Sequence, residues 1–262
     1  MRGSMQRRLA ALLMGLVWAA GLSAQSPLRV AAAADLEPVL PPILAEFEHE
    51  TGIHAEATFQ ASAVLTTQIE NGAPFDLFLS ADVGYPKRLI DAGLADAAGT
   101  ANSSTPVVYA RGTLVLWARK DSALPAPSLE LLRNPALRRL AVANPDRAPY
   151  GRAAVAALAR LKLYDALKSK LVTAENIAQT AQFADSGNAD AGLISLTSAL
   201  TLRLSTNGRY FVIPRELYPP IEQGATIVSK TTQRAQAHKL LDYLLSAPVQ
   251  AQLARSGLTP VH

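Results

Sequence analysis

The 262-residue sequence predicts an α/β protein, and three observations carry that reading. Short apolar runs of strand length recur along the chain, segments with apolar residues at three-and-four spacing separate most of them, and turn residues punctuate the joins. Strands alternating with helices argue for parallel sheets covered by helices on both faces.

Taken in order, Leu28 to Ala33 reads as a buried strand that passes straight into a helical pattern of Leu36, Val39, Leu40, Ile43, Leu44 and Phe47. Asp35 stands where an N-cap would, and Gly52 ends the pattern. A second helix fits Ala63 to Asn71, closed by Gly72 and Pro74, before a strand over Asp76 to Ser80. Further strands are predicted at Leu114 to Ala118, Leu140 to Ala143, Leu171 to Thr173, Gly192 to Ile194, Tyr210 to Ile213 and Ala225 to Val228. The stretch Ala123 to Pro127 reads as a surface loop. No internal repeat, low-complexity tract or single clean linker is present, so a single large sheet and two lobes joined by more than one crossing remain equally open.

Ahead of the first strand, Arg7 and Arg8 precede an uncharged apolar run, Leu9 to Leu22, that closes on Ser23 and Ala24. That is the layout of a secretory signal peptide, and the run is shorter than the roughly 20 residues of a bilayer span. Residues 1–24 are therefore expected to be removed near Ala24, with a periplasm as the destination. Their loss takes Arg2, Arg7 and Arg8 and no acid, so the net charge falls from +4 to +1. The basic balance thus belongs largely to the leader and implies neither nucleic acid nor a membrane surface as partner. With no cysteine in the chain, an exported protein has neither a disulfide framework nor a lipidated cysteine tether.

Enzymatic signatures are absent: there is no Gly-x-Ser-x-Gly elbow, no His-Glu-x-x-His, no phosphate loop and no cysteine nucleophile. His49, His54, His238 and His262 fall in helical or terminal stretches, which leaves an exported hydrolase as a weak alternative. What stands out is a set of helix starts bearing small or hydroxyl residues: Ala34-Asp35, Ala61-Ser62-Ala63, Pro149-Tyr150-Gly151 and Asn176-Ile177. Unpaired N–H groups and the helix dipole make such ends anion sites. Each also has a structural reading. Asp35 and Ser62 could simply cap their helices, Tyr150 could be a surface aromatic and Ile177 a core residue. Arg147 and Arg152 read as solvated flanking charges and stay outside the candidate site.

At these same positions Val30-Ala31-Ala32-Ala33-Ala34-Asp35-Leu36, the stretch from Gln68 to Asp82 (QIENGAPFDLFLSAD) and Asn144 to Gly151 (NPDRAPYG) resemble the molybdate-binding proteins of bacterial ABC transporters. The resemblance runs in order from about Leu28 to the C-terminus. It implies a two-lobed type II periplasmic binding protein fold, with parallel-core sheets, helices on both faces and a ligand cleft between lobes. Residues 25–107 and 223–262 would form lobe 1 and residues 108–222 lobe 2.

The function so implied is that of a non-enzymatic, monomeric solute-binding component. It would take molybdate or tungstate, use no cofactor or protein-coordinated metal, and serve an inner-membrane ABC permease and its ATPase. The ligand-binding positions carried over are Ala34, Asp35, Ser62, Tyr150 and Ile177. Ser62 would offer hydroxyl and main-chain N–H, and Ile177 its main-chain N–H alone. Tyr150 would offer a backbone donor and, as in some members, its hydroxyl. Asp35 stands where many members have serine or asparagine, so the N–H of Ala34 or Asp35 is the expected donor there. Ser195 stands where many have a ligand-binding tyrosine, a role Tyr150 would take from the opposite side. Binding of another solute, such as sulfate or a ferric ion, is the remaining alternative.

Overall fold

A computed structural model describes residues 26–97 and 104–261, so the expected leader and its cleavage point lie outside the described residues. Among the described residues no helix is long and apolar enough to cross a membrane.

The chain begins with β1 (Leu28–Ala33), a 3-10 turn over Ala34–Leu36, α1 (Leu40–Thr51), β2 (Ala55–Gln60), α2 (Ser62–Glu70), β3 (Leu77–Ser80), α3 (Gly84–Asp91), β4 (Ala95–Asp96) and β5 (Val107–Gly112). The middle holds β6 (Leu114–Arg119), β7 (Leu140–Ala143), α4 (Pro149–Arg160), α5 (Tyr164–Leu167), β8 (Leu171–Ala174), α6 (Ile177–Ser186), β9 (Ala191–Ser195), α7 (Leu196–Ala199), α8 (Leu202–Asn207) and β10 (Gly208–Val212). It closes with β11 (Ile221–Val228), α9 (Arg234–Leu245) and α10 (Ala247–Arg255).

These strands make two sheets, one per lobe. The first runs β2-β1-β3-β11-β4 with β5 also paired to β11, and the second runs β10-β6-β9-β7-β8. Each has a parallel core, β2-β1-β3 and β8-β7-β9. The expected parallel cores are extended by antiparallel strands: β4, β5 and β11 in the first sheet, and β6 and β10 in the second, pair antiparallel. The reason is connectivity. β5 leads out of the first sheet, only Thr113 separates it from β6, and β11 returns beside β5 in the opposite direction. Two adjacent crossings therefore join the lobes, and both crossing strands belong to the first sheet.

The first lobe buries α1, α9 and α10 on one sheet face through Leu40, Ile43, Phe47, Leu240, Leu244 and Leu253, while α2 and α3 cover the other through Leu65, Ile69 and Leu89. In the second lobe α4 covers one face through Ala154, Ala157 and Leu158 and α6 with α7 the other, against Trp117. At about 25 cal/mol per Å² of apolar surface removed from water, such two-sided burial is the main force holding each lobe together. Ala33, Ala34, Ala61 and Ala81 from the first lobe pack into the same buried cluster as Leu114, Ala148 and Tyr150. The lobes meet there with little space between them.

The helix expected from Leu36 starts instead at Leu40, and Asp35 does not cap it. Pro41 and Pro42 lack the N–H that a helix interior requires and are tolerated only in its first turn, which moves the start downstream. Ala61, not Ser62, occupies the N-cap of α2.

Candidate functional site

The parallel strands of both sheets end at the junction of the lobes, which places the segments that follow β1, β2 and β3 opposite those that follow β7 and β8. There a small cavity opens, and Ala34, Asp35, Ser62, Tyr150 and Ile177 all line it. The structure thus brings together the five positions that the resemblance carried over as ligand-binding. Ala33, Gln60, Ala61, Ala81, Ala148, Pro149 and Asn176 complete the wall, and none is cationic. A larger groove lies at the opposite end of the first sheet around Asp76 and Thr231. The Asp76 carboxyl there is taken by the N–H of Arg29 and the hydroxyl of Thr231, so size alone does not make that groove a site.

Three helix N-termini point at the small cavity: α2 from the first lobe, α4 and α6 from the second. The main-chain N–H groups of Ser62, Tyr150 and Ile177 lie in first turns, where the helix supplies no acceptor, and none is paired with another backbone carbonyl. The next donor along α2, the N–H of Ala63, is taken across the junction by the carbonyl of Arg147 at 3.2 Å. Asn176 caps α6 by accepting from Gln179 N at 2.9 Å, leaving Ile177 free to face the cavity with its N–H. Ser62 is buried, and its Oγ accepts from Ala81 N at 3.1 Å. A hydroxyl has one proton to give, so an accepted N–H on its oxygen leaves that proton for another partner.

Asp35 is fully buried. One carboxyl oxygen, Oδ2, accepts from the Tyr150 hydroxyl at 3.0 Å and from Gln223 Nε2 on β11, while Oδ1 has no partner. Burial pushes the carboxyl up to about 6 from its usual 3.8, against the lowering effect of the Tyr150 and Gln223 bonds. Burial also holds the Tyr150 hydroxyl well above its ordinary range, and the adjoining carboxyl adds to the effect. Because the Tyr150 proton is directed at Asp35, the contact left to this residue within the cavity is its main-chain N–H. The residue is deep in the junction, not the surface aromatic considered as its alternative.

Several contributors were missed in the sequence. Gln223, on the returning strand, braces Asp35; a lone glutamine just ahead of the apolar run Ala225 to Val228 gave no chemical signal. Thr197 Oγ1 donates to the Asp35 carbonyl at 2.8 Å, a second tie from the second lobe. Gly112 makes room for Tyr150, since a Cβ there would stand 2.2 Å from the hydroxyl. Ser195 sits apart from the cavity wall, its Oγ accepting from Ser198 N at 3.2 Å as the cap of α7. Arg147 pairs with Glu175, and Arg152 pairs with Asp82 at 2.6 Å and donates to Tyr85 Oη at 3.0 Å. Both arginines therefore have partners outside the cavity, as the reading that left them out expects.

Such a cavity has the chemistry of an anion receptor: uncharged donors from both lobes, three aligned helix dipoles and no fixed cation. The chain is 39% identical over 241 residues to the molybdate-binding protein ModA of Azotobacter vinelandii, covering 92% of each, and 34% identical to that of Rhodobacter capsulatus, covering 89% of this chain and 87% of that one. The solved periplasmic molybdate-binding protein of A. vinelandii superposes with a TM-score of 0.82 at 29% identity, over 90% of this chain and all of that one. Residues 28–259 match the model of the bacterial extracellular solute-binding proteins, and the chain belongs to that family.

Proposed function

We propose that this protein is the periplasmic binding component of an ABC importer, capturing molybdate, and with it tungstate, between its two lobes. The observation that carries the reading is the convergence of the Ser62 hydroxyl with the unpaired N–H groups of Ser62, Tyr150 and Ile177 on one cavity. A fully ionised tetrahedral anion presents acceptors only, which suits a wall of donors, and each charge-assisted bond contributes roughly 1.5–3 kcal/mol. Curated relatives that cover almost the whole chain are molybdate-binding proteins, which supports this anion over others. Ala34 and Asp35 complete the ligand shell from the end of β1.

The lobes divide, on this reading, close to the expected bounds of residues 25–107 with 223–262 and residues 108–222, with the crossing strands β5 and β11 counted to the first, and the cleft between them closes over the anion. The protein performs no chemistry on it: contacts from both lobes favour the closed form, which is presented to the membrane permease and its ATPase. A ferric-ion site would need several anionic ligands. Here the single carboxyl and the Tyr150 phenol are bonded to each other, and no group of three or more His, Cys, Asp or Glu able to hold a metal occurs among the described residues.

A thermal-shift panel with molybdate, tungstate, sulfate, phosphate and ferric ion tests the reading. Ligand at 100 times its Kd stabilises by about 2.7 kcal/mol, roughly 5–10 °C for a chain of this size. Molybdate and tungstate should give similar shifts and sulfate, a smaller anion, little. Ser62→Ala should weaken molybdate binding by about 10- to 100-fold, the loss of one charge-assisted bond. Comparable stabilisation by sulfate, or a response to ferric ion alone, would refute the assignment.

A further inference from the structure

We infer that Asp35 couples anion capture to the uptake of one proton: the carboxyl is ionised in the empty protein at neutral pH and protonated when the anion is bound. The inference rests on the oxyanion reading and concerns the one group in that cavity whose chemistry opposes it.

The Ser62 hydroxyl and the main-chain N–H groups of Ser62, Tyr150 and Ile177 are donors at the cavity, whereas an ionised Asp35 is an acceptor with a negative charge. Its two oxygens are not equivalent. Oδ2 is satisfied by Tyr150 and Gln223, and Oδ1 is buried without a partner. A proton on Oδ1 turns that unpaired acceptor into a donor and removes the charge, so the protonated carboxyl completes the donor wall. The alternative, two anions packed together in a buried space, costs more than any neighbour here can offset.

Nothing nearby supplies a compensating cation. The titratable groups facing Asp35 are the Tyr150 hydroxyl on α4 and, behind it, Tyr109 on β5, both held neutral by burial. The 3-10 turn that carries Asp35 also packs on α6, α7 and the end of β2. The first turn of α6 and the whole of α7 contain no ionisable side chain, and β2 reaches the turn at Gln60. With the lobes in contact, burial alone holds the carboxyl near the point of titration, at about 6. An arriving dianion raises it further by direct repulsion of the charged form. Closure is part of that burial, because Tyr150 and Thr197, which enclose Asp35, come from the second lobe, although the Tyr150 bond itself favours the charged form.

Linkage fixes the sign. A complex that holds one more proton than the free protein loses affinity as pH rises, by about tenfold per unit between the free and bound pKa values. Isothermal titration of the full mature protein with molybdate at pH 7.5, in buffers of differing ionisation enthalpy, should report uptake approaching one proton per anion. Affinity should fall by about 10- to 100-fold from pH 6.5 to 8.5, the same linkage carried over two units. Asp35→Asn supplies a permanent neutral donor and should bind molybdate with no proton uptake and a flat profile. Tight molybdate binding by the wild type with no proton exchange would overturn the inference and leave the oxyanion reading intact, as would uptake that persists in Asp35→Asn. Binding of no tetrahedral anion would overturn both. Should the variant fail to fold, the wild-type proton count decides alone.

Discussion

Of the two readings the sequence allows for Asp35, helix cap and contact in the anion site, the structure removes the first. Its place directly after β1 marked it as a cap, yet the folded chain buries it between Tyr150 and Gln223. That burial has a consequence for stability that needs no ligand. Because the folded-state pKa is raised from 3.8 to about 6, the folded protein binds the proton more tightly than the unfolded chain between those values. Its contribution is therefore fully present below about pH 4 and is lost as pH rises through 6. By the size of the shift the loss reaches up to about 3 kcal/mol at neutral pH. Asp35→Asn should accordingly melt higher than the wild type at pH 7.5, with the gap shrinking to near zero at pH 4. Parallel denaturant titrations at the two pH values check it, and equal stability of the two proteins at pH 7.5 would show that the carboxyl is solvated in the anion-free protein.

At the scale of elements, the site depends on how closely α4 approaches β7. Gly151, one residue after Tyr150, lies so near the strand that a Cβ would stand 2.3 Å from the carbonyl oxygen of Ala143. A backbone atom cannot rotate away, so Gly151→Ala must displace the helix start that offers the Tyr150 N–H. Overpacking of this kind costs about 1–3 kcal/mol, and molybdate affinity should drop at least tenfold, by loss of one well-placed donor. Gly52→Ala is the matching control. Gly52 caps α1 at φ +72° with nothing within 4 Å of a new Cβ, so the substitution should cost about 1–2 kcal/mol through backbone strain and leave affinity unchanged. If both variants lost affinity equally, general destabilisation would explain the effect.

The same elements show what the sequence could reveal. Pro149-Tyr150-Gly151 and Asn176-Ile177 were legible because proline at a helix start, glycine at a close approach and asparagine at a cap are local chemistry. The buried strands β1, β3, β6 and β7 were legible as apolar runs. β2 was not, since AEATFQ is half exposed and carries Glu56. Nor was β5, whose partner β11 is more than 100 residues away, and with it went the antiparallel pairing of β11 and the bracing role of Gln223. Pairings of that range leave no local pattern.

Closure of the whole molecule depends on contacts between lobes, and two sets of these bear on release of the anion. Around the cavity are the buried ties of Tyr150 and Thr197 to Asp35. Farther out Arg152 on α4 pairs with Asp82, donates to Tyr85 and stacks over its ring at 5.4 Å, a clasp across the rim with the arginine side chain still 42% exposed. An exposed ion pair contributes only about 0–1 kcal/mol, so Arg152→Ala should change the stability of the anion-free protein little. Its effect belongs to kinetics, because the clasp forms only when the lobes are together and must break before the anion leaves. We expect Arg152→Ala to speed release of bound molybdate by up to about fivefold, the equivalent of one such pair, with the association rate nearly unchanged. Raising the salt concentration should speed release from the wild type in the same direction and from the variant much less, since screening acts on the ion pair the variant lacks. Dissociation of labelled molybdate chased with unlabelled anion measures both; a variant that releases at the wild-type rate would place the closing contacts wholly at the buried ties.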